Sequence, residues 1–400
     1  VQGDVGCGKT VVAAAAAARA IGSGYQAALM APTELLAEQH WKNLQRWFGP
    51  LGVHVALLTG SLPARQRRAA LAAAACGDAA LIVGTHALFQ EQVEFRQVAL
   101  VIVDEQHRFG VEQRLLLADK GRHGNRHPHQ LIMTATPIPR TLAMTAYADL
   151  DVSVIDELPP GRAPVRTVVL PESRRDEVVA RIAAACGAGR QAYWVCPLIE
   201  ESEELRYQAA EETFAALSQA LPYLRIGLVH GRMTGRKKDQ AMQAFAAGAT
   251  QLLVATTVIE VGVDVPNATI MVIENAERMG LAQLHQLRGR VGRGTAESSC
   301  VLLYRAPLGE LARARLDTIR DSNDGFEIAQ RDLELRGPGE LLGTAQTGVA
   351  QLRVANLARD VNLLPKVQQA AELLLARYPD RIAPLTLRWI GAALDYGRVA

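Results

Sequence analysis

The segment Gly3-Asp4-Val5-Gly6-Cys7-Gly8-Lys9-Thr10 decides the fold class of this 400-residue chain. It fits the pattern G-x-x-x-x-G-K-[ST], in which a glycine-rich turn brings backbone N–H groups around phosphate oxygens. Such a loop joins a buried strand to a helix, and the Ala-rich residues 11–20 form the predicted helix. We therefore expect a nucleoside triphosphate site in which Gly3, Gly6 and Gly8 shape the loop. Lys9 is expected to reach the β- and γ-phosphates, and Thr10 is expected to bind Mg²⁺.

The residues before this loop are few. Only Val1 and Gln2 precede it, and the first residue is not Met. Because a phosphate-binding loop normally follows a complete strand, we expect that the protein has further sequence upstream.

The composition excludes little on its own. The chain has 43 basic and 41 acidic residues, a net charge of +2, and 49% hydrophobic residues. A strongly basic tail cannot be inferred from this total, but nucleic acid stays open, because hydroxyl and backbone N–H groups also bind phosphate. No apolar run approaches the roughly 20 residues that cross a bilayer, so we expect no membrane association.

Short apolar runs recur along the chain and predict α/β architecture. Continuous apolar runs are typical of parallel strands that are buried on both faces. A Pro- and Gly-containing stretch at 157–162 separates two sets of such runs, and from about 307 helical patterns replace them. We therefore predict two tandem parallel-sheet lobes, 1–155 and 156–306, followed by a mostly helical element, 307–400, with a Gly-rich interruption at 336–340. The predicted strands are 27–31, 81–84, 98–103, 131–134, 192–196, 226–230, 251–256, 269–274 and 300–304.

Two carboxylates, Asp104 and Glu105, follow the third predicted strand directly. Buried charge without partners is costly, and a Mg²⁺ ion bound by Asp104 would be such a partner. Glu105 could then polarise the attacking water. The alternative is an ordinary solvated acidic turn, which the upstream Lys9 and Thr10 make less attractive.

A basic segment in the second lobe, 286–294, contains three arginines among small residues. It could be a solvated loop. In a two-lobed ATPase, however, such arginines can stabilise the transition state across the cleft, where an arginine finger accelerates hydrolysis by roughly 10³–10⁵. Arg290 and Arg293 are the candidates. Asp264 could contact the nucleotide ribose or Arg293, and Thr256 could contact a phosphate backbone.

The order of these motifs resembles a superfamily 2 helicase motor, and their details resemble the RecG family of bacterial DNA helicases. The resemblance covers essentially the whole chain. It rests on GDVGCGKT (3–10), APTELLAEQH (31–40), GTHAL (84–88), DEQHRFGVEQR (104–114), TATPIPR (134–140), ATTVIEVGVDVP (255–266) and QLHQLRGRVGRG (283–294).

The resemblance implies an ATP- and Mg²⁺-dependent enzyme that moves double-stranded DNA, branch-migrates Holliday junctions and regresses stalled forks. It implies branched DNA as the partner, single-strand DNA-binding protein as a further one, a monomer, and a bacterial cytoplasm with nucleoid association as the location. It also assigns functions to residues. Gln286 is expected to bind the nucleotide, one set of residues to contact DNA, and another set to couple ATP hydrolysis to translocation. The DNA set is Thr33, Thr85, His86 and Thr256, and the coupling set begins with Thr134, Thr136 and His107.

The segment 325–343 is similar to the translocation motif that this family shares with the transcription-repair coupling factor. The resemblance implies a helical hairpin that converts lobe motion into DNA movement, with Arg331, Arg336 and Gln346 as transmitters. The alternative is a salt-bridged hairpin with a glycine-rich cap. The family's N-terminal wedge domain is not within this sequence, so the 400 residues alone are expected to be weakly active.

Three alternatives stay open at this point. The first is the transcription-repair coupling factor, which has the same motor. The resemblance suggests that the coupling factor has Asp-Glu-Glu-His at the motif where this chain has Asp104-Glu105-Gln106-His107. An unrelated P-loop ATPase, such as a transporter subunit, does not account for the second-lobe arginines. A catalytically inactive binding module is disfavoured because Lys9, Asp104 and the other candidate catalytic residues are present.

Overall fold

A computed structural model describes most of the chain. The described residues are 1–90, 92–105, 127–134, 151–157, 163–196, 203–256, 265–292, 294, 296–341, 360 and 363–390. Within these ranges the protein consists of two large parallel sheets covered by helices and one small parallel pair of strands, followed by a helical region. This confirms the predicted fold class.

The first lobe is built on a five-stranded parallel sheet with the order β3-β4-β2-β5-β6. A short parallel pair, β1–β7, adjoins it through a bridge between Gln2 and Thr134, next to the end of β6. The strands of the first lobe are β1 (Gln2–Gly3), β2 (Gln26–Met30), β3 (Val55–Leu58), β4 (Leu81–Gly84), β5 (Val98–Asp104), β6 (His129–Met133) and β7 (Val154–Ile155). Its described helices are α1 (Lys9–Gly22), α2 (Glu34–Phe48) and α3 (Ala64–Cys76).

The central strand β2 shows why its sequence is apolar throughout. Ala27 and Leu29 lie in the hydrophobic cluster on one face of the sheet, whereas Ala28 and Met30 lie in the cluster on the other. Successive side chains of a strand point to opposite faces, so a strand covered by helices on both sides needs an apolar residue at every position.

The second lobe has a six-stranded, all-parallel sheet with the order β10-β11-β9-β12-β13-β8. Its strands are β8 (Arg166–Pro171), β9 (Gln191–Val195), β10 (Ile226–Val229), β11 (Leu252–Ala255), β12 (Ala268–Ile273) and β13 (Ser299–Tyr304). Its helices are α4 (Arg175–Gly187), α5 (Glu203–Ala220), α6 (Gly235–Ala246) and α7 (Leu281–Arg288). The central strand β9 again divides its side chains between two cores, with Tyr193 on one face and Trp194 on the other.

Helices follow the second sheet. They are α8 (Glu310–Asp321), α9 (Gly325–Leu341), α10 (Leu364–Arg377) and α11 (Ile382–Ile390). Leu316 and Ile319 of α8 and Ile328 of α9 belong to the core of the second lobe, so these two helices pack directly on it. None of the helices in the described ranges combines the length and the apolar character that a membrane crossing requires.

Several predicted strands agree with the structure to within one or two residues, but three strands were missed, namely β3, β7 and β8. Both β3 and β8 are edge strands. β7 has only two residues, and β8 begins with the exposed Arg166, so neither shows the continuous apolar pattern of a central strand. β3, with the sequence Val-Ala-Leu-Leu, does show this pattern and was overlooked. The predicted interruption at 336–340 was also wrong, because α9 continues to Leu341. The second Gly-rich stretch, 343–348, lies outside the described residues.

Candidate nucleotide site at the lobe interface

The P-loop has a backbone shape that glycine makes possible. Gly6 and Gly8 have φ values of 79° and 101°, in the left-handed region that favours glycine. A Cβ on Gly8 would meet no atom within 4 Å, so the need for glycine there is conformational. At Gly3 the need is for space, because a Cβ would overlap the sulfur of Cys7 and approach Ile155 Cβ to 3.1 Å.

The N-terminus of α1 fits an anion. Gly8 is its N-cap, no side chain caps the helix, and its first turn contains no acidic residue. The first N–H groups of a helix have no intrahelical acceptor and lie at the positive end of its dipole. Phosphate oxygens would satisfy these donors, so the loop has the features that a nucleoside triphosphate needs.

Lys9 lies folded over the loop that it serves. Its ammonium group donates hydrogen bonds to the carbonyl oxygens of Gly3 at 2.8 Å and of Asp4 at 2.9 Å. Cys7 Sγ lies 3.8 Å from the same nitrogen. The lysine is thus held directly above the turn by backbone oxygens, which a phosphate could replace as its partners.

Asp104 is the last residue of β5, and its carboxylate has two local donors. Oδ2 accepts a hydrogen bond from His40 Nε2 at 2.8 Å, and Oδ1 accepts one from the backbone N–H of Glu105 at 3.1 Å. Burial by itself would raise the pKa of Asp104. The hydrogen bond and charge of His40, the charge of Lys9 and the Glu105 N–H outweigh burial, so the pKa lies below its ordinary value. Lys9 is therefore near enough for its charge to act on the carboxylate, which favours one shared site for the P-loop and Asp104.

His40 is a site residue that the sequence reasoning missed. It lies within APTELLAEQH on α2, where its side chain is only 9% exposed. A histidine on the buried face of an amphipathic helix gives no local signal of its partner, because Asp104 follows 64 residues later.

Glu105 has an unusual backbone conformation. Its φ is 51°, in the left-handed region, which non-glycine residues rarely adopt. Such strain concentrates at functional sites, where the surrounding structure maintains it. This fits a side chain that is aimed at a reacting group, and the role of Glu105 stays a prediction.

The second lobe contacts the P-loop through the segment that contains the predicted arginines. His285 Nε2 lies 2.8 Å from Asp4 Oδ1. A Cβ on Gly289 would come within 2.9 Å of Val5 Cβ, so the two backbones approach closely at this point. Arg290 directly follows Gly289, so its backbone lies beside the P-loop lobe, and its role as an arginine finger stays a prediction.

The other nucleotide candidates of this lobe differ in position. Gln286 is buried on α7, next to His285. Arg288, which was not assigned a role, is 3% exposed, and its guanidinium donates to backbone carbonyls at the end of α8. Arg293 and Asp264 lie outside the described residues, so their roles stay predictions.

The predicted metal ligands are Thr10 and Asp104. Thr10 lies in the first turn of α1, and Asp104 ends β5. Over the described ranges, no group of three or more His, Cys, Asp and Glu side chains could hold a metal ion. A Mg²⁺ site with few protein ligands is the normal arrangement beside substrate phosphates, because this ion keeps several waters.

The predicted DNA-contacting residues follow strands or begin helices at the same edge of the sheets. Thr33 caps α2 by accepting a hydrogen bond from Leu36 N–H at 3.3 Å. Thr85 is 1% exposed and Thr256 is fully buried, whereas His86, next to Thr85, is exposed. In this conformation the His86 side chain is accessible to solvent, whereas the hydroxyl groups of Thr85 and Thr256 are buried. DNA contact by this set stays a prediction.

The predicted coupling residues are described only in part. Thr134 is buried beside the first residues of the chain, and its N–H donates to Val1 O at 3.2 Å. Arg331 is exposed on α9 and pairs with Glu334 of the same helix at 2.9 Å. The side chain of Arg336 and all of Thr136, His107 and Gln346 lie outside the described residues. Their roles therefore stay predictions.

Comparison with known proteins first defines the class. Residues 1–145 match the family model of DEAD/DEAH box helicases, and residues 176–295 match the helicase conserved C-terminal domain. The structure of S. cerevisiae Dbp5 bound to RNA and ADP BeF3 has a TM-score of 0.60 at 16% identity over 81% of this chain and 82% of that chain, a likeness of fold. The two matched models and this likeness give the class: the fold is that of a superfamily 2 helicase motor.

Within this class, the chain is similar to one family of helicases along nearly its whole length. Residues 322–389 match the model for domain 3, C-terminal, of the ATP-dependent DNA helicase RecG. The chain is 63% identical to the Escherichia coli K12 protein of that name, over 98% of this chain and 56% of the relative. For the Bacillus subtilis protein the identity is 50%, over 94% and 54%. A structure of RecG bound to a three-way DNA junction is 45% identical, with a TM-score of 0.73, over 91% of this chain and 47% of that chain. The chain belongs to the RecG family, and it spans about half the length of the curated relatives it matches.

Proposed function

We propose that this chain is the motor portion of an ATP-dependent DNA helicase that translocates on double-stranded DNA and remodels branched DNA. The observation that carries this proposal is the contact of the second-lobe segment 285–290 with the P-loop. A nucleotide in the loop would lie between the two lobes, so binding and hydrolysis would change the position of one lobe relative to the other.

ATP and Mg²⁺ would be held mainly by the first lobe. The N-terminus of α1 and Lys9 would bind the phosphates, while Thr10 and Asp104 would position Mg²⁺. Bound Mg²⁺ would neutralise charge on the β- and γ-phosphates. Glu105 would orient and polarise the attacking water, and Arg290 with Arg293 would stabilise charge on the transferred phosphoryl group.

Branched DNA is the proposed substrate, as Holliday junctions and stalled replication forks in recombination and repair. It is supported by the relatives named above and by the related structure, which is bound to a three-way DNA junction. The match of residues 322–389 to the RecG model supports this reading over the coupling factor. We further propose a monomer that acts in the bacterial cytoplasm on nucleoid DNA and meets single-strand DNA-binding protein there.

The test is ATP hydrolysis by substituted full-length protein. Lys9→Ala removes the ammonium group at the phosphates, and Arg293→Ala removes a proposed finger. Both are expected to abolish DNA-stimulated ATP turnover while junction binding in a gel-shift assay changes less than threefold. Lys42→Ala, which changes an exposed lysine on α2, is the matched control and should hydrolyse ATP normally. Normal turnover by the Lys9 variant would refute the proposed site.

A further inference from the structure

A cavity of about 600 Å³ lies at the amino-terminal edge of the first sheet. It is lined by the last turns of α1, by Tyr25 just before β2, and by the residues that begin β5 and β6. The P-loop and Asp104 lie at the carboxyl ends of their strands, which is the opposite edge. Lys9 and Arg19 are ten residues apart on α1, which corresponds to about 15 Å along the helix. The cavity is therefore separate from the nucleotide site.

One face of α1 forms a wall of the cavity. The lining residues Ala16, Arg19, Ala20 and Ser23 have the spacing i, i+3, i+4 and i+7, which places them on one side of the helix. Ala16 and Ala20 leave room beside the sheet because their side chains end at Cβ. Ser23 Oγ donates to Arg19 O at 3.0 Å and secures the end of the helix. The hollow thus follows from the small residues on this face.

The floor of the cavity is apolar. Val98 and Leu100 of β5 contribute to it and are 3% and 8% exposed, and Pro128, just before β6, is also buried. Apolar surface gains free energy when a ligand removes water from it. The floor therefore favours the apolar body of a ligand.

The rim of the cavity is polar, and none of the described residues that line the cavity is acidic. Its exposed side chains are those of Arg19, Tyr25, Gln97, His127 and His129. Each of these side chains can donate a hydrogen bond. Within the described ranges, the guanidinium of Arg19 forms no ion pair and the hydroxyl of Tyr25 forms no hydrogen bond. A negatively charged group would therefore find a cation here that no carboxylate already neutralises.

Volume and lining together indicate a small organic ligand. Small-molecule sites are concave, have volumes of about 300–1,000 Å³, and combine an apolar lining with a few polar groups. The cavity has all three properties. It has room for a fused ring system, whereas a DNA duplex cannot enter it. The lining selects a flat apolar body that carries one anionic group.

We infer that this cavity is a second ligand site of the protein, which binds a small amphipathic organic anion. The apolar body of the ligand lies on Val98 and Leu100, and its anionic group lies at Arg19. The inference does not depend on the proposed motor function. The bound ligand would contact the ends of α1 and β5 that lie farthest from Lys9 and Asp104.

The experiment uses the full-length protein and two fluorescent probes. Anilinonaphthalene sulfonate has an apolar ring system with an anionic group, and phenylnaphthylamine has the same ring system without the sulfonate. Fluorescence titration gives the affinity and the number of probes bound per chain. Each titration is repeated with saturating AMP-PNP and Mg²⁺, which occupy the nucleotide site.

Three variants test the position of the probe. Ala16→Trp fills the cavity with an indole ring. Ala18→Trp is the matched control, because Ala18 is exposed on the same helix and does not line the cavity. Arg19→Gln removes the charge at the rim. Thermal unfolding shows that each variant is folded.

The expected result is saturable binding of one sulfonate probe per chain, with and without AMP-PNP. Ala16→Trp should weaken this binding by about tenfold or more, and Ala18→Trp should change it by less than about twofold. Arg19→Gln should weaken the sulfonate probe by about threefold, the usual size for an exposed charge pair, and leave the neutral probe unaffected. Should Ala16→Trp fail to fold, the comparison of the two probes in wild type and Arg19→Gln still decides.

The inference is overturned if the wild type shows no saturable binding, as when another part of the full-length protein covers the cavity. Displacement of the probe by AMP-PNP would place it in the nucleotide site and equally overturn the inference. Unchanged affinity in Ala16→Trp would exclude this cavity as the site. Equal weakening of both probes by Arg19→Gln would exclude a preference for anions.

Discussion

The hydrogen bond between His40 and Asp104 predicts a specific defect in magnesium use. His40→Ala removes the Nε2–H that donates to Asp104 Oδ2 at 2.8 Å. The Asp104 side chain is 13% exposed, so water replaces this donor poorly. Among the described residues, the carboxylate then keeps the Glu105 N–H as its one local donor, and it loses the partner that orients it towards the proposed metal position.

The size of the effect follows from the kind of hydrogen bond. A hydrogen bond to a charged group contributes about 1.5–3 kcal/mol, which corresponds to roughly 10- to 150-fold in an equilibrium constant. We expect the Mg²⁺ concentration that gives half-maximal DNA-stimulated ATP hydrolysis to rise by a factor in this range. The maximal rate at saturating Mg²⁺ should fall less than the apparent affinity.

The same substitution should change how stability depends on pH. The pKa of Asp104 lies below its ordinary value of 3.8, so the group stabilises the fold above that value, and this stabilisation is lost as the pH falls through the lowered pKa. His40→Ala removes a main cause of the lowering. The difference in unfolding free energy between wild type and variant should therefore be largest near neutral pH and shrink below about pH 4.

The assay is a Mg²⁺ titration of ATP turnover, with thermal unfolding measured across pH. His54→Ala, which changes an exposed histidine of the same lobe, is the control and should match the wild type. An unaltered Mg²⁺ dependence in the His40 variant would show that the hydrogen bond does not orient Asp104 for the metal.

Two further predictions concern the lobe surfaces that face each other or DNA. Thr33→Asp keeps an N-cap acceptor for Leu36 N–H, so the melting temperature should change by less than about 2 °C, whereas Thr33→Ala should cost about 1 kcal/mol. If Thr33 contacts a DNA phosphate, both variants should weaken DNA binding in fluorescence anisotropy, and the Asp variant should weaken it by more than about tenfold because its charge also repels the phosphate. An Asp variant that binds DNA as tightly as the wild type would contradict that role. Burial and the charge of Glu34 raise the pKa of Asp239. Ionised Asp239 therefore destabilises the folded protein at pH values above this raised pKa. This destabilisation disappears as the pH falls below the ordinary pKa of an aspartic acid, where the side chain is protonated in both states. Asp239→Asn should therefore raise the melting temperature slightly at pH 7 and have no effect near pH 3.5, and a gain that persists at low pH would exclude this cause.

Much of the fold could be predicted because buried parallel strands need apolar residues on both faces. Gln26–Met30 and Val98–Asp104 show this pattern and were predicted nearly to the residue. The edge strand Arg166–Pro171 lacks it, because its first residue is exposed and the others are only partly buried. Val55–Leu58 has the pattern and was overlooked. Helix α9 passes through Gly337, Pro338 and Gly339, which all disfavour a helix, whereas an earlier turn packs on the second lobe through Ile328.

The sequence by itself determined the P-loop and the acidic pair after β5. A run of glycines before Lys9 dictates a loop whose backbone can adopt positive φ, and this is a local property of the chain. The same holds for Asp104 and Glu105, which are placed by the strand that precedes them.

Only the tertiary structure decided which side chains serve these motifs. His40 reaches Asp104 across 64 residues because α2 packs beside the strand that carries the aspartate, and His285 reaches Asp4 across 281 residues because the second lobe docks on the P-loop. Local patterns follow from the conformations that each residue allows. Partnerships of this kind depend on strand order and lobe docking, which are set by the packing of the whole chain.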